Sequence, residues 1–242
     1  MELDSLRFAF DELKNDRKID GQQHRWMLLA LCKALQSAAN TTGHFAQYLS
    51  IKTETFSRFL TKRKRSIFRD WLAAMADLSP AGTSEWRKLN KTFRKDALSL
   101  LTQIKRASDH PAVVYADPPY TADHYSRYYH LWETLLRYDY PEPTGKGLYR
   151  QDRFVSKFSV RSVVMSQFEK LIEKTSELGV ELVLNYPANG LLDDPEQNLL
   201  PMLRKRFAHA EIAAAIPHQH STMGASKGVE KEKVTELIFY AR

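Results

Sequence analysis

Short apolar runs alternate with longer helical patterns after residue 90, and this alternation restricts the fold more than any other feature of the chain. The runs are rich in branched and aromatic residues, as buried strands are, and the segments between them have the length and apolar spacing of helices. Strands are predicted at residues 91–95, 112–116, 180–186, 211–216 and 234–241, and helices at 96–106, 126–137, 160–178 and 195–207. This order predicts an α/β fold, with helices on both faces of one sheet.

The first 90 residues lack the strand pattern and are predicted to be helical. Helices are expected at residues 22–40 and 66–78, the second with Ser66 as its N-cap. The chain is therefore divided into a helical region, residues 1–90, and an α/β region, residues 91–242.

The composition is that of a globular protein, with 43% hydrophobic and 27% charged residues among 242. The longest apolar run, residues 26–34, is shorter than the ~20 residues of a membrane span and contains Lys33. The acidic start lacks the pattern of a secretory signal and resembles the natural beginning of a polypeptide. A single cysteine, Cys32, excludes an intramolecular disulfide. A cytoplasmic protein without membrane contact is expected.

The formal net charge of +7 favours a polyanionic partner. A single basic run is typical of a solvated helix face, but two of the three groups flank an aromatic-rich segment, residues 113–133. Cations beside aromatic rings are typical of nucleic-acid surfaces. The groups are Lys62, Arg63, Lys64 and Arg65; Arg150, Arg153, Lys157 and Arg161; and Arg204, Lys205 and Arg206.

The strand predicted at residues 112–116 runs into Asp117-Pro118-Pro119-Tyr120. An exocyclic amino group on a base is a poor nucleophile, because its lone pair is delocalised into the ring. A carboxylate and a rigid carbonyl that accept its two N–H groups localise that lone pair, and proline fixes the carbonyl without adding a donor. An aromatic ring can stack on the base once it is flipped out. We predict these four residues to be catalytic; an ordinary turn is the alternative.

The segment YADPPYTADHYSRYYHLWETLLRYDYP, residues 115–141, resembles the motif region of the D12 class of DNA adenine-N6 methyltransferases, which are similar to Dam. The likeness includes ANTTGHFAQYL at residues 39–49, similar to the helix and loop upstream of the catalytic strand. It also includes Phe93-Arg94-Lys95-Asp96-Ala97, similar to the segment that holds the cofactor adenine. HSTMG at residues 220–224 and VTELIFYA at residues 234–241 resemble the last hairpin of the family.

This resemblance implies S-adenosylmethionine as the methyl donor and a flipped adenine in double-stranded DNA as the acceptor. The implied cofactor contacts are Asp96, Ala97 and Asp117. Family members with Ser or Asn at the position of Asp117 often act on cytosine N4, RNA or protein, so the acid favours adenine. No metal is expected, since His218 and His220 lack partners at zinc spacing. The predicted DNA contacts are Lys62, Arg63, Lys64, Arg65, Tyr125, Arg127, Arg150, Arg153, Lys157 and His220.

The family also requires an F-x-G-x-G turn after its first strand and an acid after its second. The one G-x-G here, Gly145-Lys146-Gly147, follows a proline-containing loop. Family sheets have the order 3-2-1-4-5-7-6, and this chain supplies strand 3, at residues 91–95, and strands 4 to 7. We therefore interpret the sequence as an incomplete Rossmann-like methyltransferase sheet, with strands 1 and 2 brought by a second subunit; a truncated polypeptide is the alternative.

The favoured function is the catalytic, target-base subunit of a split adenine-N6 methyltransferase in restriction-modification or phage defence, associated with the nucleoid. Two other functions stay open: a non-catalytic DNA-binding subunit, and an RNA or protein methyltransferase. The intact Asp117-Pro118-Pro119-Tyr120 argues against the first, and the basic residues do not discriminate among nucleic acids.

Overall fold

The computed structural model of the chain describes residues 2–41, 43–46, 48–104, 112–219 and 233–242. These residues form nine α-helices: α1 Glu2–Asn15, α2 Gly21–Ala38, α3 Thr53–Arg63, α4 Ile67–Asp77, α5 Ser84–Leu89, α6 Ala97–Gln103, α7 Ser126–Arg137, α8 Val164–Glu177 and α9 Pro195–Arg206. They also form four strands: β1 Val113–Ala116, β2 Glu181–Pro187, β3 Ala210–Gln219 and β4 Lys233–Ala241. The segment at residues 220–224, with His220, lies outside the described residues.

The chain forms two compact units, and the segment Ser126–Arg153 belongs to the first of them. The helical unit combines Met1–Asn90 with Ser126–Arg153, and the sheet unit combines Lys91–Tyr125 with Phe154–Arg242. The break near residue 90 lies where the sequence pattern changes. The sequence division into residues 1–90 and 91–242 placed α7 and the loop after it in the α/β region, whereas their contacts are with the helices.

The core of the helical unit is built by α1, α2, α4 and α7. Phe10, Leu31 and Leu135 are among its buried side chains. Two tryptophans pack against this core, and their indole N–H groups donate hydrogen bonds to backbone carbonyls of α2. Trp71 donates to the Met27 carbonyl and Trp132 to the Cys32 carbonyl, both at 3.1 Å. Helix α4 begins as predicted, because the Ser66 side chain accepts from the Arg69 amide at 3.3 Å.

The sheet has the strand order β1-β2-β4-β3. Strands β1 and β2 are parallel, with Ala116 opposite Leu184, and β4 is antiparallel to both β2 and β3. If the four strands are numbered 4 to 7 along the chain, their order is 4-5-7-6, which agrees with the order expected for that half of a family sheet. The mixed α/β class predicted from the sequence is confirmed.

The strand predicted at residues 91–95 is wrong: those residues have no strand pairing in the described structure. Three of the five are the cations Lys91, Arg94 and Lys95, and all five are exposed, so nothing apolar holds the segment against a sheet. The next residue, Asp96, is the N-cap of α6. Local polarity and the helix that follows determine the conformation of this segment.

One face of the sheet carries the core of the sheet unit. Leu182, Leu184 and Tyr186 alternate along β2 and are fully buried against α8 and α9, through Phe168 and Leu199 among others. The alternate residues of β2 are only partly buried. The expectation of helices on both faces is therefore met for one face. No helix among the described residues has the length and apolar character needed to cross a membrane.

Candidate active site

The sequence Asp117-Pro118-Pro119-Tyr120 begins where β1 ends, at the carboxyl edge of the parallel β1–β2 pair. Asp117 is exposed and Pro118 is buried, so the carboxylate faces solvent while the first proline ring anchors the turn. Carboxyl ends of parallel strands are where α/β sheets bind ligands. The position of these residues is therefore suitable for catalysis, although the individual roles assigned to them stay predictions.

The turn is held against the segment that follows β2. The Tyr120 carbonyl accepts from the Leu191 amide at 2.7 Å, and the Tyr186 hydroxyl accepts from the Leu192 amide at 3.0 Å. A Cβ at Gly190 would lie 2.4 Å from the Tyr186 ring, so only glycine permits this close approach. Two strand ends are thereby joined into one edge, with the backbone on both sides of Asp117 fixed.

The Tyr120 ring lies at the margin of the sheet-unit core, edge-on to Tyr125 with ring centroids 6.4 Å apart. Burial raises the pKa of the Tyr120 hydroxyl, and the carboxylates of Glu236 and Asp117 raise it further. The hydrogen bond from Tyr125 lowers this pKa but does not cancel the increase. The hydroxyl is therefore neutral at physiological pH. A neutral, partly buried aromatic ring next to an acid is suitable for stacking on a base.

Asn185 is a residue of this edge that the sequence analysis missed. It lies next to Asp117 across the β1–β2 pair, and its Nδ2 donates to Asp117 Oδ1 at 3.4 Å. The sequence contained a signal for Asn185, because it is a polar residue near the end of an apolar strand. If that strand is parallel to β1, such a residue lies beside the residue that follows β1. Glu236 on β4, close enough to affect Tyr120, was missed because the pairing of β4 with β2 is not local.

Asp96 and Ala97, the predicted cofactor contacts, lie at the start of α6. The Asp96 side chain accepts from the Ser99 amide at 2.9 Å and from the Ser99 hydroxyl at 3.0 Å, which makes it a helix N-cap. Both residues are exposed. The structure thus gives the acid a structural role, and its role toward a cofactor stays a prediction.

The basic group at residues 62–65 is only partly available for a phosphate. Lys62 donates to the Ala39 carbonyl at 2.5 Å, and burial and nearby arginines lower its pKa. Arg65 makes two bonds of 2.7 Å to Asp70. Arg63, over the Phe59 ring, and Lys64 are exposed. Arg63 and Lys64 are therefore better placed for a polyanion than Lys62 and Arg65, which are already engaged by Ala39 and Asp70.

Arg150 is a structural residue of the helical unit. Its side chain is 3% exposed and is held by Asp139 and Asp152, with nitrogen–oxygen distances of 2.5 and 3.0 Å. Hydrogen bonds from Arg150 and, to a smaller extent, from Arg137 lower the pKa of Asp152 to about 2. Arg150 could reach a phosphate only if both ion pairs broke, so its predicted DNA contact is not supported by this geometry.

The loop that contains the G-x-G sequence is a tight turn closed by a bridge between Thr144 and Tyr149. Gly145 has a φ of +66°, and a Cβ at Gly147 would lie 2.2 Å from the Tyr149 ring. Gly145 therefore permits the left-handed backbone of the turn and Gly147 the close approach of the ring, which agrees with the interpretation of this segment as a loop. Arg127 and Arg153 place their guanidinium groups 5.3 and 4.6 Å from the centre of the same ring.

The remaining predicted contacts belong to the sheet unit or lie outside the described residues. Lys157 is exposed in a single turn of 3₁₀ helix, and Tyr125 is partly buried beside Tyr120. His220 is in a segment that the structure does not describe. Within the described segments no three His, Cys, Asp or Glu side chains are grouped as metal ligands would be.

An acid, a fixed turn and an aromatic ring at the end of a parallel strand are the arrangement expected of a methyltransferase that acts on the amino group of a base. The chain belongs to the D12 class of N6 adenine-specific DNA methyltransferases, whose family profile matches residues 6–185. The resemblance drawn from the motifs is thereby confirmed. No solved structure matches the chain.

Several curated proteins are similar over most or nearly all of the chain. The modification methylase LlaI of Lactococcus lactis subsp. lactis is 27% identical over an alignment of 248 positions, which covers 99% of this chain and 35% of that protein. The type II methyltransferase M.FokI of Planomicrobium okeanokoites is 28% identical over 239 residues, 98% of this chain and 33% of that protein. The type II methyltransferase M.NlaIII of Neisseria lactamica is 30% identical over 171 residues, which cover 70% of this chain and 44% of that protein. The chain spans about a third of the length of the first two.

Proposed function

We propose that this chain is the catalytic, target-base part of a DNA adenine-N6 methyltransferase of a restriction-modification system, with S-adenosylmethionine as the methyl donor. The observation that carries the proposal is the position of Asp117-Pro118-Pro119-Tyr120 at the carboxyl end of a parallel strand, joined to the end of its neighbour. Family membership and the names of the relatives, modification methylase and type II methyltransferase, support the reaction and its context.

In the proposed reaction, the residues of this chain prepare the acceptor. The Asp117 carboxylate and the Pro118 carbonyl accept hydrogen bonds from the two N6 hydrogens of a flipped adenine, which localises the nitrogen lone pair. Tyr120 stacks on the base and offsets part of the cost of unstacking it. The donor, when bound, supplies an electrophilic methyl group on a sulfonium. Phage defence is the biological role we assign to the modification.

The described residues match only part of a cofactor site. The polar side chains at the ends of the two parallel strands are Asp117 and Asn185. A donor site also needs a glycine turn and an acid that binds the ribose, and these two strand ends provide neither. Asp96 offers a carboxylate for the adenine edge. No contact for the methionine or the ribose of the donor follows from these residues, and we derive no step through the donor.

We further propose that strands 1 and 2 and the glycine turn come from outside these residues and pair with β1. Val113 and Tyr115 on β1 are 57% and 62% exposed, and among the described strands only β2 pairs with β1. Phe93, 52% exposed, adds apolar surface in the same unit. An open central strand of this kind invites pairing. We favour a second subunit as the source; a further segment of one longer polypeptide is the other outcome to be tested.

The DNA contacts that we propose are exposed or partly exposed cations of each unit taken separately. In the helical unit they are Arg63 and Lys64 near the end of α3, with Arg127 and Arg153 on the Tyr149 ring, and in the sheet unit Lys157. Phosphate contacts of this kind supply affinity that falls steeply with salt. Arg150 is left out because its carboxylate partners already neutralise it.

Changing Arg153 and Lys157 to Gln together should reduce the slope of log K against log[salt] for duplex DNA by about 0.9 for each phosphate that the protein no longer neutralises. The matched variant Arg150→Gln should keep the wild-type slope and instead lower the melting temperature, because it removes the ion pairs to Asp139 and Asp152. Fluorescence anisotropy at several salt concentrations measures the slopes. An unchanged slope in the double variant would show that these two cations do not contact phosphates and belong to an ordinary solvated surface.

The assay for the function compares duplex DNA, RNA and protein as acceptors for labelled methyl groups, with the completing segment present. N6-methyladenine in DNA is the expected product, detected by mass spectrometry of digested nucleosides. Transfer to RNA or protein alone would replace the proposed substrate, and DNA binding with no transfer to any acceptor would favour a non-catalytic role.

A further inference from the structure

Asn185 lies beside the proposed catalytic acid for a reason of register. Ala116 is opposite Leu184 in the parallel pair, so Asp117 and Asn185 are the next residues on both strands. Leu184 is fully buried in the core, and Asn185 therefore points to the opposite, partly covered face, where Asp117 lies. The two side chains meet, with Asn185 Nδ2 3.4 Å from Asp117 Oδ1.

The carboxylate determines the orientation of the amide. An ionised carboxylate only accepts hydrogen bonds, so the amide must turn its NH₂ toward Asp117 and its oxygen away. The separation of 3.4 Å is long for a bond to a charged acceptor. Catalytic hydrogen bonds are often long before the substrate is bound and tighten in the complex.

The other end of the amide is a buried acceptor. Asn185 Oδ1 is shielded from solvent and finds no hydrogen-bond donor among the described residues. The backbone of Asn185 is paired with Ile238 on β4, so the sheet does not need the amide group. A buried acceptor without a donor costs stability, and an apolar side chain at this position would avoid that cost. The amide is therefore better explained by a ligand than by the fold.

We propose that Asn185 is a positioning residue for methyl transfer. Its NH₂ holds the Asp117 carboxylate in the orientation that accepts from the target amino group, and its buried Oδ1 accepts a hydrogen bond from a water that accompanies the bound base. The inference rests on the proposed function, because it assigns the residue to the same site.

Three variants of the active, completed enzyme test the role. Asn185→Leu keeps the approximate size and removes both polar atoms, Asn185→Asp keeps the shape and loses the donor, and Asn185→Thr keeps a hydroxyl that can donate and accept. The matched control is Asn198→Ala, a partly buried asparagine of α9 that donates to the Asp193 carbonyl at 2.7 Å. The measurements are the single-turnover rate of methyl transfer, the dissociation constant for duplex DNA and the melting temperature.

Asn185→Leu should lower the single-turnover rate about 10²-fold, the cost of a small misplacement of a catalytic group. It should leave the dissociation constant for DNA within about twofold and the melting temperature equal to wild type or higher, because the buried unpaired oxygen is gone. Asn185→Asp should be as slow as Asn185→Leu, since two carboxylates repel, and Asn185→Thr should recover part of the rate. Asn198→Ala should keep the wild-type rate.

A wild-type rate in Asn185→Leu would overturn the inference, and so would a slower rate that comes with a lower melting temperature, because that result indicates a structural residue. Failure of the proposed function has a different signature. If the enzyme with Asp117→Ala still methylates DNA, the catalytic assignment of the strand end is wrong, whatever the Asn185 variants show.

Discussion

Asp117→Ala is expected to eliminate methyl transfer, with a loss of at least about 10²–10³-fold in the single-turnover rate, the usual effect of removing one preorganised group from the reacting centre. The carboxylate is exposed, and the one side-chain hydrogen bond described for it is the 3.4 Å contact with Asn185, so the fold should not depend on it. Labelled methyl transfer to duplex DNA measures the loss, and circular dichroism and the melting temperature measure the fold.

The matched control for this change is Glu177→Ala, which removes the same charge from an exposed position in the last turn of α8. It should keep the wild-type rate, so that a general effect of net charge on DNA binding can be separated from the loss of the acid. A rate close to wild type in Asp117→Ala would show that the strand end is an ordinary turn.

The elements that the sequence predicted well are those whose signals are local. Helix α7 was predicted at residues 126–137 and is found at Ser126–Arg137. Strand β2 was predicted at residues 180–186 and is found at Glu181–Pro187. Apolar period and nearby Gly or Pro residues determine such boundaries, and both can be read within a few residues of the element.

Two predictions depended on contacts that a local sequence pattern does not reveal. Arg150 was assigned to DNA because it lies in a basic run, but Asp139 and Asp152 close around it, and a count of cations contains nothing about their counter-ions. The segment at residues 126–153 was assigned to the α/β region by its position in the chain, and it packs with the helical unit. Nearby carboxylates decide the first case and long-range packing decides the second.

The candidate site shows the same division. Asp117-Pro118-Pro119-Tyr120 was predicted to be catalytic from its own chemistry, since four consecutive residues carry the signal. Asn185 was missed although its pairing with β1 could have been deduced from two parallel strands of known register. Which polar residue lies beside a catalytic acid is a property of the sheet, and it can be predicted only when strand order and register are considered together.

The 242-residue chain by itself is expected not to bind S-adenosylmethionine measurably and to self-associate. For the methyl donor, its described residues provide only Asp96 and the end of β1, and they provide no contacts for the methionine or the ribose. Self-association is expected because β1 exposes apolar side chains and pairs with β2 alone among the described strands. Isothermal titration of the purified chain measures the binding, and size-exclusion chromatography measures the association. Adding the polypeptide that carries an F-x-G-x-G turn should restore donor binding, DNA methylation and a defined stoichiometry.

The open edge of β1 can be tested as the site of this assembly with two substitutions at equally exposed residues of the same unit. Tyr115 on β1 and Val155 outside the sheet are each 62% exposed. Tyr115→Lys should prevent assembly, because completion of the sheet would cover the face of β1 that carries residue 115 and bury the new charge, and an unpaired buried ammonium is costly. Val155→Lys should assemble like the unchanged chain. Equal assembly by both variants would move the interface away from β1. Micromolar donor binding by a monomer that methylates DNA without any added polypeptide would show that these 242 residues hold a complete site.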